Sequence, residues 1–195
     1  MKFLSSTVAL SLLTLAGTAG AASFDELKAE AAALVPPFQQ HLLQTVKQAM
    51  QEGGPTHAVE SCQLLAPQIA AEHSKAPWRV GRTALKVRNP ENAADAWERE
   101  VLEEFASRAR AGEPLQGMHK AQVVEGEFRY MQAIPTGEPC LACHGPAIKA
   151  ELASLIEQRY PADQAYGFQL GELRGAFSLR QASEPQNTEA AAREH

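Results

Sequence analysis

The sequence predicts an α+β fold, in which a helical N-terminal arm precedes a domain built on an antiparallel sheet. Segments with helical patterning come first in the chain, and short alternating segments follow among further helices. The early segments are rich in Ala, Glu and Leu, whereas the later ones carry the bulky and β-branched residues that favour strands. Helices first and strands mixed with helices afterwards indicate an α+β domain.

The arm is predicted to contain three helices separated by prolines and glycines. The first covers residues 23–35, and Pro36-Pro37 is expected to interrupt it because proline removes a helical hydrogen bond. A second helix continues to Gly53-Gly54-Pro55, which stops it. The third covers residues 57–73, and Pro67 is expected to kink it or end it early.

The remaining elements alternate between strands and helices. They are a short strand within residues 78–88, a helix from Pro90 to about Ala111, a sheet region over 123–135, a helix over 147–159 and a strand over 175–180. Asn89 is expected to cap the helix that starts at Pro90, because Asn is a good N-cap and proline suits the first helical position. Glu125-Gly126-Glu127 predicts the tight turn of a hairpin.

Both ends of the chain are predicted to lie outside the folded domain. Residues 1–22 have the pattern of a secretory signal peptide: Lys2, a short apolar run, and small residues before a cleavage site. The run is short for a membrane span, although an uncleaved N-terminal anchor is the alternative. We therefore expect a periplasmic protein without a transmembrane segment after cleavage. It would have a helical region over 23–54, a domain over 55–181 and a disordered polar tail over 182–195.

The charge balance excludes one class of partner. The chain has 18 basic and 23 acidic side chains, for a formal net charge of −5. No block of basic residues is present in the sequence, so nucleic-acid binding has no support. A mildly acidic surface favours solubility.

Cys140-Leu141-Ala142-Cys143-His144 has the Cys-x-x-Cys-His pattern to which a c-type haem is attached. The two thiols would form thioethers with the haem vinyl groups, and the imidazole of His144 would bind the iron. One alternative is a disulfide between Cys140 and Cys143, but no thioredoxin-like βαβ unit surrounds them. Another is a zinc site, for which a second closely spaced pair of ligands is missing. The haem interpretation uses every position of the motif and agrees with export.

The second axial ligand of the iron is not specified by this motif. The candidates are Cys62, His57, His73, Met118, His119 and Met131. We expect Met118-His119 to lie in a surface loop and Met131 to lie in the core of a strand. The choice matters because an anionic thiolate lowers the reduction potential, whereas a methionine thioether raises it.

Cys62 has a helical position that sets it apart from the other candidates. Val59, Cys62, Ala66 and Ile69 share one face of the third predicted helix, which directs Cys62 toward the interior. There it would be either a buried structural cysteine, which behaves as a small apolar residue, or a thiolate bound to ferric iron.

An ordered set of segments resembles the Tll-like haem domain family. The segments are Ala58-Val59-Glu60-Ser61-Cys62 with Ala66-Pro67, Val80-Gly81-Arg82-Thr83 running into Val87-Arg88-Asn89-Pro90 with Asn92 and Trp97-Glu98, the stretch 139–145, the stretch 160–165 and the stretch 171–176. The resemblance covers about residues 55–180 and implies a PAS-like fold with a sheet flanked by helices. It also implies one covalently attached haem c, with thioethers at Cys140 and Cys143 and axial ligation by His144 and Cys62.

Three arginines are candidates for contact with the haem propionates, because Arg pairs well with carboxylates. They are Arg82, Arg88 and Arg174. The alternative for each is an ordinary surface or structural ion pair.

The sequence therefore predicts a periplasmic monohaem c-type cytochrome that acts as a low-potential electron-transfer protein or redox sensor. Its partner would be an unidentified redox or signalling protein. The alternative is a haem-based gas sensor, in which the Cys62 ligand is displaced on reduction and CO or NO takes its place. An enzyme such as a peroxidase or nitrite reductase is not expected, because protein ligands would occupy both axial positions.

Overall fold

The computed structural model describes residues 22–182. Residues 1–21 and 183–195, which hold nearly all of the predicted signal peptide and tail, lie outside the described residues. The elements are α1 (Phe24–His73), β1 (Trp78–Thr83), α2 (Ala96–Arg110), β2 (His119–Val124), β3 (Glu127–Pro135), α3 (Leu141–His144), α4 (Ala150–Arg159) and β4 (Leu173–Ala182). Within residues 22–182, each helix is too short or too polar to cross a membrane.

The four strands form one antiparallel sheet in the order β1-β4-β3-β2. Alternate side chains of the central strands face opposite ways, as strand geometry requires. Tyr130, Phe177 and Leu179 pack against α1, whereas Met131 and Ala176 pack beneath α2. The predicted α+β class, with an antiparallel sheet flanked by helices, is confirmed.

Helix α1 is bent sharply at Gly53-Gly54, which divides it into a first arm (residues 24–52) and a second arm (residues 55–73). Gly54 has φ 71° and ψ −163°, a region open essentially only to glycine. A Cβ atom at Gly53 would lie 2.6 Å from the Cβ of His57. The bend folds the arms together, so that Phe38 of the first arm and Ile69 of the second share one core cluster. The predicted stop at these glycines is confirmed.

The predicted breaks at Pro36-Pro37 and Pro67 are wrong, because α1 continues through all three prolines. A proline inside a helix costs about 3 kcal/mol. Val35 and Phe38 flank the first pair and are fully buried, and burial of such side chains contributes roughly 1.5–3 kcal/mol each. Burial of these two side chains, together with that of Ala31 and Leu42 on the same arm, offsets the local cost.

We predict that Gly54→Ala destabilises the protein by about 1–3 kcal/mol, because alanine is strained at this φ and ψ. Urea unfolding followed by far-UV circular dichroism measures the change. Gln51→Ala, at an exposed position near the end of the first arm, is the matched control. Its free energy of unfolding should stay within about 0.5 kcal/mol of that of the parent. Equal stability of the two variants would contradict the requirement for glycine at the bend of α1.

The helix predicted from Pro90 to about Ala111 is divided in the structure. Asn89 caps only a single 3-10 turn over Pro90–Asn92. The chain then forms an isolated bridge between Ala84 and Ala93, and α2 starts afresh at a capping box formed by Asp95 and Glu98. The predicted hairpin turn is confirmed, since Glu125 and Gly126 both have positive φ, as a two-residue hairpin turn demands.

Candidate haem-binding site

The last four residues of the Cys-x-x-Cys-His motif form the short helix α3, which contacts α1, and Cys140 precedes α3 at the end of a 3-10 turn. Cys143 packs against a cluster formed by Val59 of the second arm of α1 and by Leu152 and Ile156 of α4. Cys62 lies one turn further along the same arm as Val59. A motif that is contiguous in sequence is thereby placed beside a cysteine from a distant segment.

The pKa of the Cys62 thiol responds to its burial and to nearby groups of the site. Burial is the main cause that raises the pKa of Cys62, while Arg82 lowers it and the Cys143 thiol raises it further. On the helical face predicted for Cys62, Val59 and Ile69 are buried and Cys62 is half-buried. The structure therefore brings Cys62 to the motif with a cation beside it.

The imidazole of His144 is held in one tautomer. Its Nδ1 lies 2.6 Å from the carbonyl oxygen of Ala165, and because a carbonyl only accepts, Nδ1 must donate. Nε2 then carries the free lone pair that a metal ligand needs. Burial, followed by the charges of Arg174 and Arg88, lowers the pKa of His144 well below its ordinary value. The ring is therefore neutral and oriented for metal binding.

Arg88 has a structural role in the site. Its guanidinium donates to Asp163 at 3.0 and 3.2 Å and to the carbonyl oxygen of Cys143 at 2.7 Å. Asp163 in turn accepts from the backbone N–H of Ala165 at 2.8 Å. This network fastens the motif to the segment that orients His144. For Arg88, the structural ion pair is thus the interpretation that the geometry supports.

Arg82 and Arg174 have no ion pair with any carboxylate among residues 22–182. Burial lowers the pKa of both, and that of Arg174 falls to about 10 because Arg82 and Arg88 also act on it. The Arg174 guanidinium lies 5.1 Å from the centre of the Phe168 ring. Both side chains are half-buried, and half-buried cations without counter-ions are costly, so this cluster suits an anionic ligand.

The charge of the cluster matches the proposed group. Arg82, Arg88 and Arg174 carry three positive charges, and in the described part of the chain Asp163 is the one carboxylate ion-paired with them. The excess of two positive charges equals the charge of the two propionates of a haem. The cluster therefore fits the two carboxylates of a haem, and Cys140, Cys143 and His144 are the residues that would hold the rest of the group.

The two candidate methionines lie in the core rather than at this site. Met118 and Met131 are buried together beneath α2. The prediction that Met118-His119 forms a surface loop is wrong, because β2 begins at His119 and the Met118 carbonyl accepts from the backbone of Ala133 at 2.9 Å. Pairing with β3 thus extends the hairpin earlier than the sequence pattern indicates.

The remaining candidate histidines have partners elsewhere. His57 lies near Glu52, His73 faces His41, and His119 contacts the carbonyl of Gly117 and stacks on Tyr130. Of the candidate ligands opposite His144, Cys62 is the one whose surroundings include Cys143 and Arg82.

The alternatives to haem find less support in the geometry. All three cysteines are free thiols, including Cys140 and Cys143. Among residues 22–182, no three His, Cys, Asp or Glu side chains converge on one point where an ion would sit, as a structural zinc site requires. A haem supplies its own four equatorial nitrogens and requires from the protein only axial ligands and covalent anchors.

Two functional positions were missed by the sequence analysis: the carbonyl of Ala165 and the carboxylate of Asp163. Both lie within the segment 160–165 that carries part of the family resemblance. Their place in that segment was the one sequence feature that could have indicated them, because a backbone carbonyl group is present at every residue and gives no sequence pattern.

We predict that Gly145→Ala disturbs the site by displacing the turn after His144. A Cβ atom at this position would lie 2.5 Å from the carbonyl oxygen of Leu141, which accepts from the Gly145 N–H. The cost should be about 1–3 kcal/mol of stability, measured by chemical unfolding, with a lower haem content per chain. Gly137→Ala is the control, because its Cβ would meet nothing nearer than 3.6 Å. Equal haem content and stability in both variants would refute the prediction.

Comparison with known proteins identifies the family of this chain. The model of the Tll0287-like family matches residues 21–182. A solved structure, that of the cyanobacterial haem protein Tll0287, is 29% identical, with 85% of this chain and 98% of that chain covered and a TM-score of 0.60. No protein with a curated description matches. The family model covers most of the chain, and this protein belongs to the Tll0287-like family.

Proposed function

We propose that this chain binds one covalently attached haem c and serves in the periplasm as a low-potential redox protein. Cys140 and Cys143 would hold the vinyl carbons, and His144 and Cys62 would be the axial ligands. The observation that carries the proposal is the approach of Cys62 to the Cys-x-x-Cys-His motif, beside a group of arginines with two uncompensated charges. The similar solved structure is that of a cyanobacterial haem protein, which supports the haem-binding part of this proposal.

When bound, haem c supplies a one-electron Fe(III)/Fe(II) couple. The chain's own residues set the properties of that couple. The Ala165 carbonyl holds His144 with Nε2 free, and Arg82 favours the thiolate form of Cys62. An anionic sulfur ligand stabilises the ferric state and lowers the potential. With two protein ligands in place, we assign electron transfer or redox sensing with an unidentified partner, and no catalytic turnover.

Low-temperature EPR of the ferric holoprotein tests this ligation directly. We expect a low-spin signal of the imidazole–thiolate type, together with haem that stays on the chain after denaturation. A bis-imidazole, imidazole–thioether or high-spin signal would show that Cys62 is not the second ligand. Haem released by denaturation alone would show that the attachment is not covalent.

We predict opposite effects of Arg82→Met on the two forms of the protein. Without haem, the variant should be as stable as the parent or more so, because it removes a half-buried cation that lacks a carboxylate partner. With haem, a propionate would lose its partner, and the holoprotein should lose about 1–3 kcal/mol in thermal or chemical unfolding. Arg79→Met, at an exposed position of the same strand, is the control. Equal loss in both forms would assign Arg82 to the fold alone.

Gas sensing is the second candidate function, favoured by one structural feature. Cys62 lies on the second arm of α1, whereas the covalent anchors and His144 lie on a separate segment. The sulfur ligand can therefore leave while the haem stays attached. Carbon monoxide added to dithionite-reduced protein tests this, and an unchanged spectrum over minutes would rule the sensor out.

A further inference from the structure

His41 and His73 face each other where the two arms of α1 meet, away from the candidate haem site. His41 belongs to the first arm, and His73 is the last residue of the second. The Nδ1 atom of His41 lies 3.3 Å from Nε2 of His73. The planes of the two rings are inclined by 59° and their centroids lie 5.5 Å apart, so the rings are not stacked face to face. Their closest polar contact is between the two nitrogens. Nothing in the proposed haem chemistry uses this pair.

The separation of the two nitrogens suits a tetrahedral metal ion. Two imidazole nitrogens bound to Zn²⁺ at about 2.0–2.1 Å lie roughly 3.3–3.4 Å apart in tetrahedral geometry. The two nitrogens also lie within hydrogen-bond distance of one another, so both lone pairs are directed into the space between the rings only when an ion takes the place of the shared proton. The observed 3.3 Å therefore corresponds to the edge of a zinc coordination tetrahedron.

A carboxylate is available as a third ligand. Oε2 of Glu72 lies 3.9 Å from Nδ1 of His41, and the Glu72 side chain is 65% exposed. Among residues 22–182, no three His, Cys, Asp or Glu side chains are already arranged to hold a metal ion. The Glu72 side chain must therefore rotate toward the two histidines to complete a set of three ligands. An exposed side chain can do so at little cost, and water can fill the fourth position.

The histidine pair is held in place by its surroundings. The ring of Phe38, which is fully buried, lies 5.4 Å from that of His73. His41 has its side chain 41% exposed, which leaves an approach for an ion from solvent. The pair thus combines an imidazole that packs on a buried ring with access from solvent.

We propose that His41, His73 and Glu72 form a zinc-binding site that joins the two arms of α1. The ligand is a divalent ion of the borderline class that prefers imidazole nitrogen and carboxylate oxygen. The ion would fasten the arm that carries Cys62 to the arm that covers the sheet. Zinc binding would accordingly raise the unfolding temperature of the protein.

The test uses the untagged holoprotein and Zn²⁺ itself, in equilibrium dialysis at buffered free zinc concentrations. We expect one saturable zinc per chain. Loss of an outer-shell partner alone lowers metal affinity about 10–100-fold, so His41→Ala and His73→Ala should each weaken binding by at least about 100-fold. Glu72→Gln should weaken it about 10-fold.

His57→Ala is the matched control. His57 also lies on α1, and its Nε2 is 3.4 Å from Glu52, but it has no second imidazole beside it. This variant should bind zinc as the parent does. Zinc affinity that falls in His57→Ala, or that stays at the parental level in His41→Ala and His73→Ala, would overturn the proposal.

A second measurement does not depend on the folding of any variant. A crystal of the parent holoprotein exposed to one equivalent of Zn²⁺ should show an anomalous peak between Nδ1 of His41 and Nε2 of His73. Absence of that peak, with zinc elsewhere or nowhere, would equally overturn the assignment.

Discussion

Replacing Cys62 by methionine is expected to raise the reduction potential by on the order of a few hundred millivolts. The substitution exchanges an anionic thiolate, which stabilises ferric iron, for a neutral thioether, which favours ferrous iron. Cys62 is half-buried, and both Arg82 and Cys143 act on its pKa, which makes it the proposed ligand. A spectroelectrochemical titration of the holoprotein gives the potential directly.

Leu64→Met provides the matched control for this experiment. It introduces the same side chain two residues along the same arm, at a position that is 66% exposed. Its potential and ferric spectrum should match those of the parent. If Cys62→Met also leaves both unchanged, Cys62 is a structural cysteine and the second axial ligand is another group.

Replacing Cys140 and Cys143 together by alanine is expected to abolish covalent attachment of the haem. The thioethers at these sulfurs are the proposed covalent links between cofactor and chain. Haem staining of a denaturing gel should detect a band for the parent and none for the double variant. Acid–acetone extraction should release the haem from the variant alone.

Single variants and Cys62→Ala complete this comparison. Cys140→Ala and Cys143→Ala should each keep one thioether and so retain stained haem. Cys62→Ala should also retain it, because an axial ligand contributes no covalent bond to the macrocycle. This contrast separates the anchoring cysteines from the coordinating one. A stained band in the double variant would disprove the assignment of the anchors.

Local patterns predicted the parts of this molecule that depend on neighbouring residues. The motif 140–144 is contiguous, and the interior-facing position of Cys62 follows from helical spacing. The hinge at Gly53-Gly54 was also predictable, because glycine pairs followed by proline end helices. These features require no knowledge of the tertiary fold.

Tertiary contacts determined what the patterns missed. Pro36-Pro37 stays helical because Val35 and Phe38 are buried against the sheet. Met118 is buried because its carbonyl pairs with Ala133 on a neighbouring strand. In each case a contact between distant segments outweighed a local preference, and a single sequence does not record such contacts.

The same distinction separates three arginines that look alike in sequence. Arg88 has Asp163 as its partner, whereas Arg82 and Arg174 have no carboxylate within the described residues. The segment around Asp163 lies beside Arg88, so Arg88 has a counter-ion and the other two arginines do not. The charge excess that fits two propionates therefore emerged only from the structure.

The division of the candidate site between two segments has a consequence for the order of folding. Cys140, Cys143 and His144 are neighbours in the chain, so they can be engaged while the rest of the polypeptide is still unfolded. Cys62 reaches them only after the second arm of α1 has docked beside α3 and α4. Long-range contacts of this kind form slowly, because the entropy cost of closing the loop comes before the contacts can stabilise the chain. The spectrum of the thiolate ligand would then report, during refolding, the moment at which the arm arrives.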